Sequence, residues 1–418
     1  MSIEFVTKRN GNLEPFDRGK IQLAVEKAMN DAGDIDQEIS EKAAKRVSSR
    51  LKKDMGVQTP TVDDIHVLVE NTLMDMKLYQ EARSYITYRD RHKPDIFRRR
   101  ESYKPFEYQK LHKYVDAIRE SYWVHTEFNY SSDVQDFRVE LDESQRECIR
   151  RCMLAISQVE VKVKDFWSKI GDRLPKPEIQ EVGVTFGESE VRHANAYSHL
   201  LEILGLNSDF DHVLEIPAIK KRMAYMNKSL SGAKSDDIND YIESILLFSM
   251  FIENVSLFSQ FLIISTFNKE KSVLKGMSNA VAATSLEENI HFMFGADLIN
   301  QIRTENPDMF DDELNTNIAE RVLESFDAEH DIVEWIFELG DFDFLRKNDV
   351  IEYIKKRYNS GLESCGFDPI FNVDRSSLER TEWFDLQINS TTHTDFFNKR
   401  SVNYSKSTQS YTEDDLFN

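Results

Sequence analysis

Cysteine is scarce: Cys148, Cys152 and Cys365 are the whole supply in 418 residues. They make neither an extracellular disulfide framework nor the paired Cys-x-x-Cys elements of a zinc ribbon, which points to a reducing cytoplasm. Positive charge is also short, with 53 Lys plus Arg against 74 Asp plus Glu and a net charge of -21. That sign disfavours nonspecific wrapping of nucleic acid, so no nucleic-acid partner is expected. The N-terminus, MSIEFVTKRNGN, lacks the apolar run of a secretory signal, and nothing there targets the chain for export. With only 14 glycines and 9 prolines, long patterns run on without punctuation, and strand-like alternation is rare.

One stretch could be mistaken for a membrane span: SILLFSMFIENVSLFSQFLIISTF, residues 244 to 267. Glu253 and Asn254 sit at its centre and no basic cluster flanks it. It reads as a buried core helix, and no membrane association is expected. Glu253 then needs a physical reason for its burial.

The chain divides by character. Near the start, two short extended runs flank Asn10-Gly11, the signature of a tight hairpin turn. Asp17 is placed to cap a helix whose buried stripe is Ile21, Ala24, Val25 and Ala28. Thr61 can cap a later helix, and EARSYITYRDRH puts Ala82, Tyr85, Ile86 and Arg89 at helical spacing. Residues 1–92 are thus a small domain, and KPDIFRRRESYKPF, 93–106, with two prolines and three consecutive arginines, is expected to be a linker. Residues 107–390 carry long helical patterns, predicting an all-α bundle. Residues 391–418 are polar and rich in Ser and Thr, a flexible tail ending in a short acidic and apolar docking peptide.

Within the bundle, GESEVRHANAY places Glu190, His193 and Tyr197 at offsets of three and four, on one helical face. A single Glu-x-x-His is commonplace on a solvated face. Here a second one, Glu288-Asn289-Ile290-His291, follows, and each is preceded by a lone glutamate: Glu160 comes 30 residues before Glu190, and Glu253 comes 35 before Glu288. Those separations suit a helix, a turn and an antiparallel return. The order E, ExxH, E, ExxH is the ligand inventory of a di-metal carboxylate bundle. Two cations held close together need several anionic oxygens to offset their repulsion, and one imidazole for each completes the set.

On Glu160, the run 190–197, Glu253 and E-E-N-I-H at 287–291, residues 107 to 418 resemble the radical-generating small subunit of class I ribonucleotide reductase. The resemblance implies a ferritin-like di-metal helical bundle with Glu160, Glu190, His193, Glu253, Glu288 and His291 as ligands to two metal ions, manganese or iron. The family's usual first ligand is aspartate, and Glu160 departs from it, which leaves the metal open. The family stores an oxidising equivalent as a tyrosyl radical, for which Tyr197 is the matching position, or on the metal pair itself. Trp123 resembles the tryptophan that relays the equivalent outward. Glu287 stands where an aspartate usually links that tryptophan to the metal histidine. Tyr404 resembles the tail tyrosine that hands the equivalent to the large subunit, with Tyr411 a weaker candidate. The expected assembly is a homodimer working with that large catalytic subunit.

The N-terminal domain resembles the ATP-cone, a small α+β module, on V-T-K-R-N-G at 6–11, F-D-R-G-K-I at 16–21 and A-R-S-Y-I-T-Y-R at 82–89. A glycine turn with basic side chains beside a helix N-terminus is a good triphosphate receptor. The match implies that Val6, Lys8, Arg9, Asn10, Gly11, Phe16, Lys20 and Ile21 bind ATP or dATP, with magnesium, as effectors. Since the cone normally sits on the large subunit, its fusion here implies activity sensing on the small one, dATP favouring an inhibited higher oligomer. Three rivals stand beside this reading. A ligand-binding di-metal oxidase would not need the tail. A nucleotide-sensing repressor would need a zinc ribbon, and a metal store would need neither Tyr197 nor Trp123.

Overall fold

The computed structural model describes residues 3–7, 13–33, 36–54, 59–92, 95–100 and 102–395. Lys8, Arg9, Asn10, Gly11, Tyr404 and Tyr411 lie outside these. The chain falls into two units, Met1–Asp95 and Ile96–Asn418.

In the first unit, strands β1 (Phe5–Thr7) and β2 (Leu13–Pro15) pair antiparallel with Val6 opposite Glu14. Asp17 is extended, and its carboxylate accepts the Gly19 N–H at 2.8 Å, which starts α1 (Arg18–Ala32). Helices α2 (Gln37–Asp54), α3 (Val62–Asp75) and α4 (Tyr79–His92) follow. Thr61 and Asp64 form a reciprocal capping box at the start of α3. The expected α1 stripe holds for Ile21, Val25 and Ala28, which are buried with Met29, while Ala24 is only half-buried.

The second unit is helical: α5 (Gln109–Glu120), α6 (Ser131–Gln135), α7 (Glu143–Ser168), α8 (Pro177–Leu204), α9 (Asn207–Asp211), α10 (Pro217–Gly232), α11 (Ile238–Leu247), α12 (Phe258–Lys271), α13 (Lys275–Glu305), α14 (Asp312–Ile336), α15 (Lys347–Ser364), α16 (Arg375–Leu378) and α17 (Glu382–Asp395). Helix α7 packs along α8, α12 along both α7 and α13, and α13 against α8, so four helices enclose one interior. From Ile96 onward the segment expected as linker belongs to this unit: Ile96 is fully buried, and its N–H donates to Glu305 at 2.9 Å.

The span Ile238–Lys271 is long and apolar enough to cross a membrane, yet it is buried within the unit. Its centre departs from the expected continuous helix. Residues Phe248–Ser256 form a π-helix between α11 and α12, and Glu253 lies within it. Gly295 lets this segment approach α13, because a Cβ there would fall 2.1 Å from Ser249 Oγ and 2.4 Å from its Cβ. Gly295→Ala is therefore expected to destabilise the protein by about 2–3 kcal/mol through overpacking, read by denaturant unfolding.

Candidate metal centre

Helix α7 supplies Glu160, α8 supplies Glu190 and His193, the π segment supplies Glu253, and α13 supplies Glu288 and His291. All six side chains are at most 1% exposed. They form two groups, each with one ligand atom per residue within 4.8 Å of the others: Glu160, Glu190, His193 and Glu288, then Glu190, Glu253, Glu288 and His291. Glu190 and Glu288 belong to both.

Both imidazoles turn Nδ1 inward. His193 Nδ1 lies 3.0 Å from Glu288 and 3.5 Å from Glu190, while His291 Nδ1 lies 3.1 Å from Glu190 and 3.3 Å from Glu253 and from Glu288. The outer nitrogens are held from behind, His193 Nε2 by Glu287 at 2.8 Å and His291 Nε2 by the Ser189 hydroxyl at 2.9 Å. Such partners fix the ring orientation of metal-binding histidines. Trp167 Nε1 donates to the outer oxygen of Glu253 at 2.7 Å.

Among the described residues, several inward atoms have no hydrogen-bond partner: both oxygens of Glu160, both of Glu190, Oε1 of Glu288 and Nδ1 of His193. The 3.0 Å approach of the last two lacks the alignment of a hydrogen bond. Leaving buried carboxylate oxygens unpaired costs several kcal/mol. A pair of divalent cations would satisfy these atoms and balance the four carboxylates in charge, so the donor set fits two oxygen- and nitrogen-preferring metals.

The electrostatics of the chain alone agree. Burial pushes the carboxyls of Glu160 and Glu253 well above the usual range. Burial acts on Glu288 in the same sense, yet the protons offered by Glu253, His193 and His291 outweigh it and hold Glu288 well below that range. Burial alone would lower both histidines, but the surrounding carboxylates prevail and raise them well above normal. Metals entering such a site displace protons.

Tyr197 is fully buried one turn beyond His193, and its hydroxyl donates to Thr284 Oγ1 at 3.1 Å. Burial, reinforced by the charge of Glu160, keeps the phenol protonated. Trp123 is buried and stacks on His193, ring centroids 5.8 Å apart at 18°. The expected bridge through Glu287 is made on one side only. Glu287 takes His193, both Arg192 amino groups at 3.1 Å and Ser121 at 3.0 Å, while the Trp123 indole N–H has no partner among the described residues. Arg192 makes the other connection, donating to the Trp123 carbonyl at 3.0 Å. Of the described nucleotide candidates, Val6 and Ile21 are buried, Phe16 is half-buried, and Lys20 is exposed and paired with Glu14 at 3.1 Å. Trp167, Ser189, Arg192 and Thr284 went unread in the sequence, since each acquires its role from a partner 86 to 102 residues away.

Fold and site together define a helical-bundle protein built around a buried carboxylate and histidine cluster that fits metal ions. The "Ribonucleotide reductase, small chain" family profile matches residues 100–378, and the ATP cone domain profile matches residues 4–94. The chain belongs to the ribonucleotide reductase small-chain family and carries an N-terminal ATP-cone. It is 22% identical over 294 residues to the ribonucleoside-diphosphate reductase subunit beta of Chlamydia pneumoniae, covering 68% of this chain and 83% of that one. Among solved structures it resembles the ribonucleotide reductase R2 subunit from Clostridium botulinum, with TM-score 0.62, 16% identity, and coverage of 68% of this chain and 89% of that one. It also resembles an R2-like ligand-binding oxidase with an aerobically reconstituted Mn/Fe cofactor, with TM-score 0.55, 18% identity, and coverage of 62% and 93%.

Proposed function

We propose that the chain is the small subunit of a class I ribonucleoside-diphosphate reductase, holding an oxidising equivalent at its metal pair and releasing it through Trp123 to a separate large subunit. The observation that carries this reading is the stacking of Trp123 on His193, a member of one of the two ligand groups that share Glu190 and Glu288. A bound pair of redox-active first-row metals supplies one-electron oxidising chemistry. The residues around it do the rest. Glu287 fixes the His193 ring, Arg192 offsets the Glu287 charge, and the apolar shell excludes water. Tyr404, in the tail, is the exit to the large subunit.

The test is parallel loading with manganese and iron, with metal counting, electron paramagnetic resonance and turnover alongside the large subunit. Two ions per chain and turnover with at least one metal are expected. No paired metal would sink the reading. Tyr197→Phe belongs in the same series. If the oxidant resides on the metals, turnover stays within about twofold; if it resides on the phenol, the radical signal and turnover both vanish. The oxidase reading is separated by deleting residues 400–418, which should abolish turnover with the large subunit and leave metal loading intact. At the cone, dATP is expected to enlarge the oligomer and lower turnover. Both effects should disappear when residues 1–92 are removed.

A further inference from the structure

Arg357, on α15, is 8% exposed and touches no ligand. Its guanidinium grips the residue that follows Glu253: Nε donates to the Asn254 carbonyl and Nη2 to Asn254 Oδ1 at 2.7 Å, while Asn254 Nδ2 donates back to the Arg357 carbonyl at 2.8 Å. The guanidinium also lies over the Phe258 ring, 3.5 Å from its centroid, where the π segment passes into α12. A π segment carries an extra residue per turn, so its carbonyls do not all meet helical partners, and an outside donor stabilises it. Arg357 is that donor.

Packing does not take its place, because Asn254, Asn289 and Arg357 line a cavity of about 540 Å³. Asp385, on α17, lines the same cavity. Its carboxylate sits 3.6 Å from the Arg357 guanidinium, accepts from Lys356 at 2.6 Å and from the Tyr353 hydroxyl at 3.2 Å. Helix α17 is the element from which the tail continues. A chain of polar contacts thus runs from α17 through Asp385 and Arg357 to the side chain and carbonyl of Asn254, the residue bonded to Glu253.

We propose that Arg357 is the positioning residue for Glu253 and that, through Asp385, it couples the second ligand group to the seating of α17. This rests on the two-metal reading above. Docking of the tail that repositions α17 would then act on the Glu253 side of the pair while leaving Glu160 and His193 undisturbed.

The experiment titrates manganese(II) into the full-length metal-free chain, with metal counting and electron paramagnetic resonance, for wild type, Arg357→Gln, Arg357→Lys, Gly361→Ala and Asp385→Asn. Gly361→Ala reaches the same point independently, since its Cβ would lie 2.9 Å from Asn254 Nδ2. Arg357→Gln and Gly361→Ala should weaken the second ion about 10–100-fold and leave the first, replacing the coupled signal with that of an isolated manganese(II). Arg357→Lys, which keeps the charge without the fork, should fall between. Asp385→Asn should weaken the second ion several-fold. If every variant that folds by circular dichroism binds two ions as wild type does, the proposal is overturned. If only Asp385→Asn is silent, the coupling to α17 falls and the positioning role stands. If wild type itself binds no pair, it is the two-metal reading that has failed.

Discussion

Glu288→Ala is expected to lower bound metal from two ions per chain to nearly none, and to cut turnover with the large subunit by about a hundredfold or more. The reason is its double membership. Glu288 approaches both imidazoles, at 3.0 Å from His193 and 3.3 Å from His291, and belongs to both ligand groups. Removing it would take an anionic side chain from both ligand groups at once and leave any two cations held there with less charge to offset their repulsion. Glu160 belongs to one group, so Glu160→Ala should leave about one ion. Counting metal after gel filtration separates the two outcomes. Equal losses in both variants would mean that the groups do not act as a pair. The fold should tolerate loss of Glu160 the better of the two, because both of its buried oxygens are unpartnered among the described residues and its burial opposes folding in the metal-free chain.

Trp123→Phe should do the reverse, keeping both metals and their oxidised spectrum while turnover drops by two to three orders of magnitude, roughly the loss of a required transfer step. Phenylalanine preserves a buried ring against His193 but is far harder to oxidise than indole. The Trp123 N–H has no partner among the described residues, so no hydrogen bond to them is broken, and the stability loss is the packing term, about 1–3 kcal/mol. An oxidant that outlives wild type when mixed with the large subunit would be the spectroscopic counterpart. Near-normal turnover would remove Trp123 from the route.

What the sequence revealed follows from what repeats locally. Glu190 with His193 and Glu288 with His291 are one helical turn apart, so periodicity alone sets each pair on one face. Asp17 and Thr61 announced helix starts for the same reason: a cap acts within three residues of itself. Glu253 could be singled out because a carboxylate in an apolar run demands a partner. The supports could not be read this way. Trp167 meets Glu253 across 86 residues, Ser189 meets His291 across 102, and Arg357 meets Asn254 across 103. Nothing near any of them in the chain foretells the encounter. Glu287 lies 2.8 Å from His193 Nε2, but its expected link to Trp123 depended on the reach of one particular side chain, and Arg192 instead bonds both Glu287 and the Trp123 carbonyl.

The π-helical turn around Glu253 has a consequence for how this site could arise or be lost. Such a turn is what a single inserted residue leaves behind in an α-helix that cannot shift its ends. Deleting one residue between Phe248 and Ile252 would let the segment close into ordinary α-helix with both ends in place, removing the widened turn on which Glu253 sits among the other ligands. Every ligand would still be present in the sequence, in the same order and with nearly the same spacing. The chain would have lost one side of its metal pair through a change in length alone.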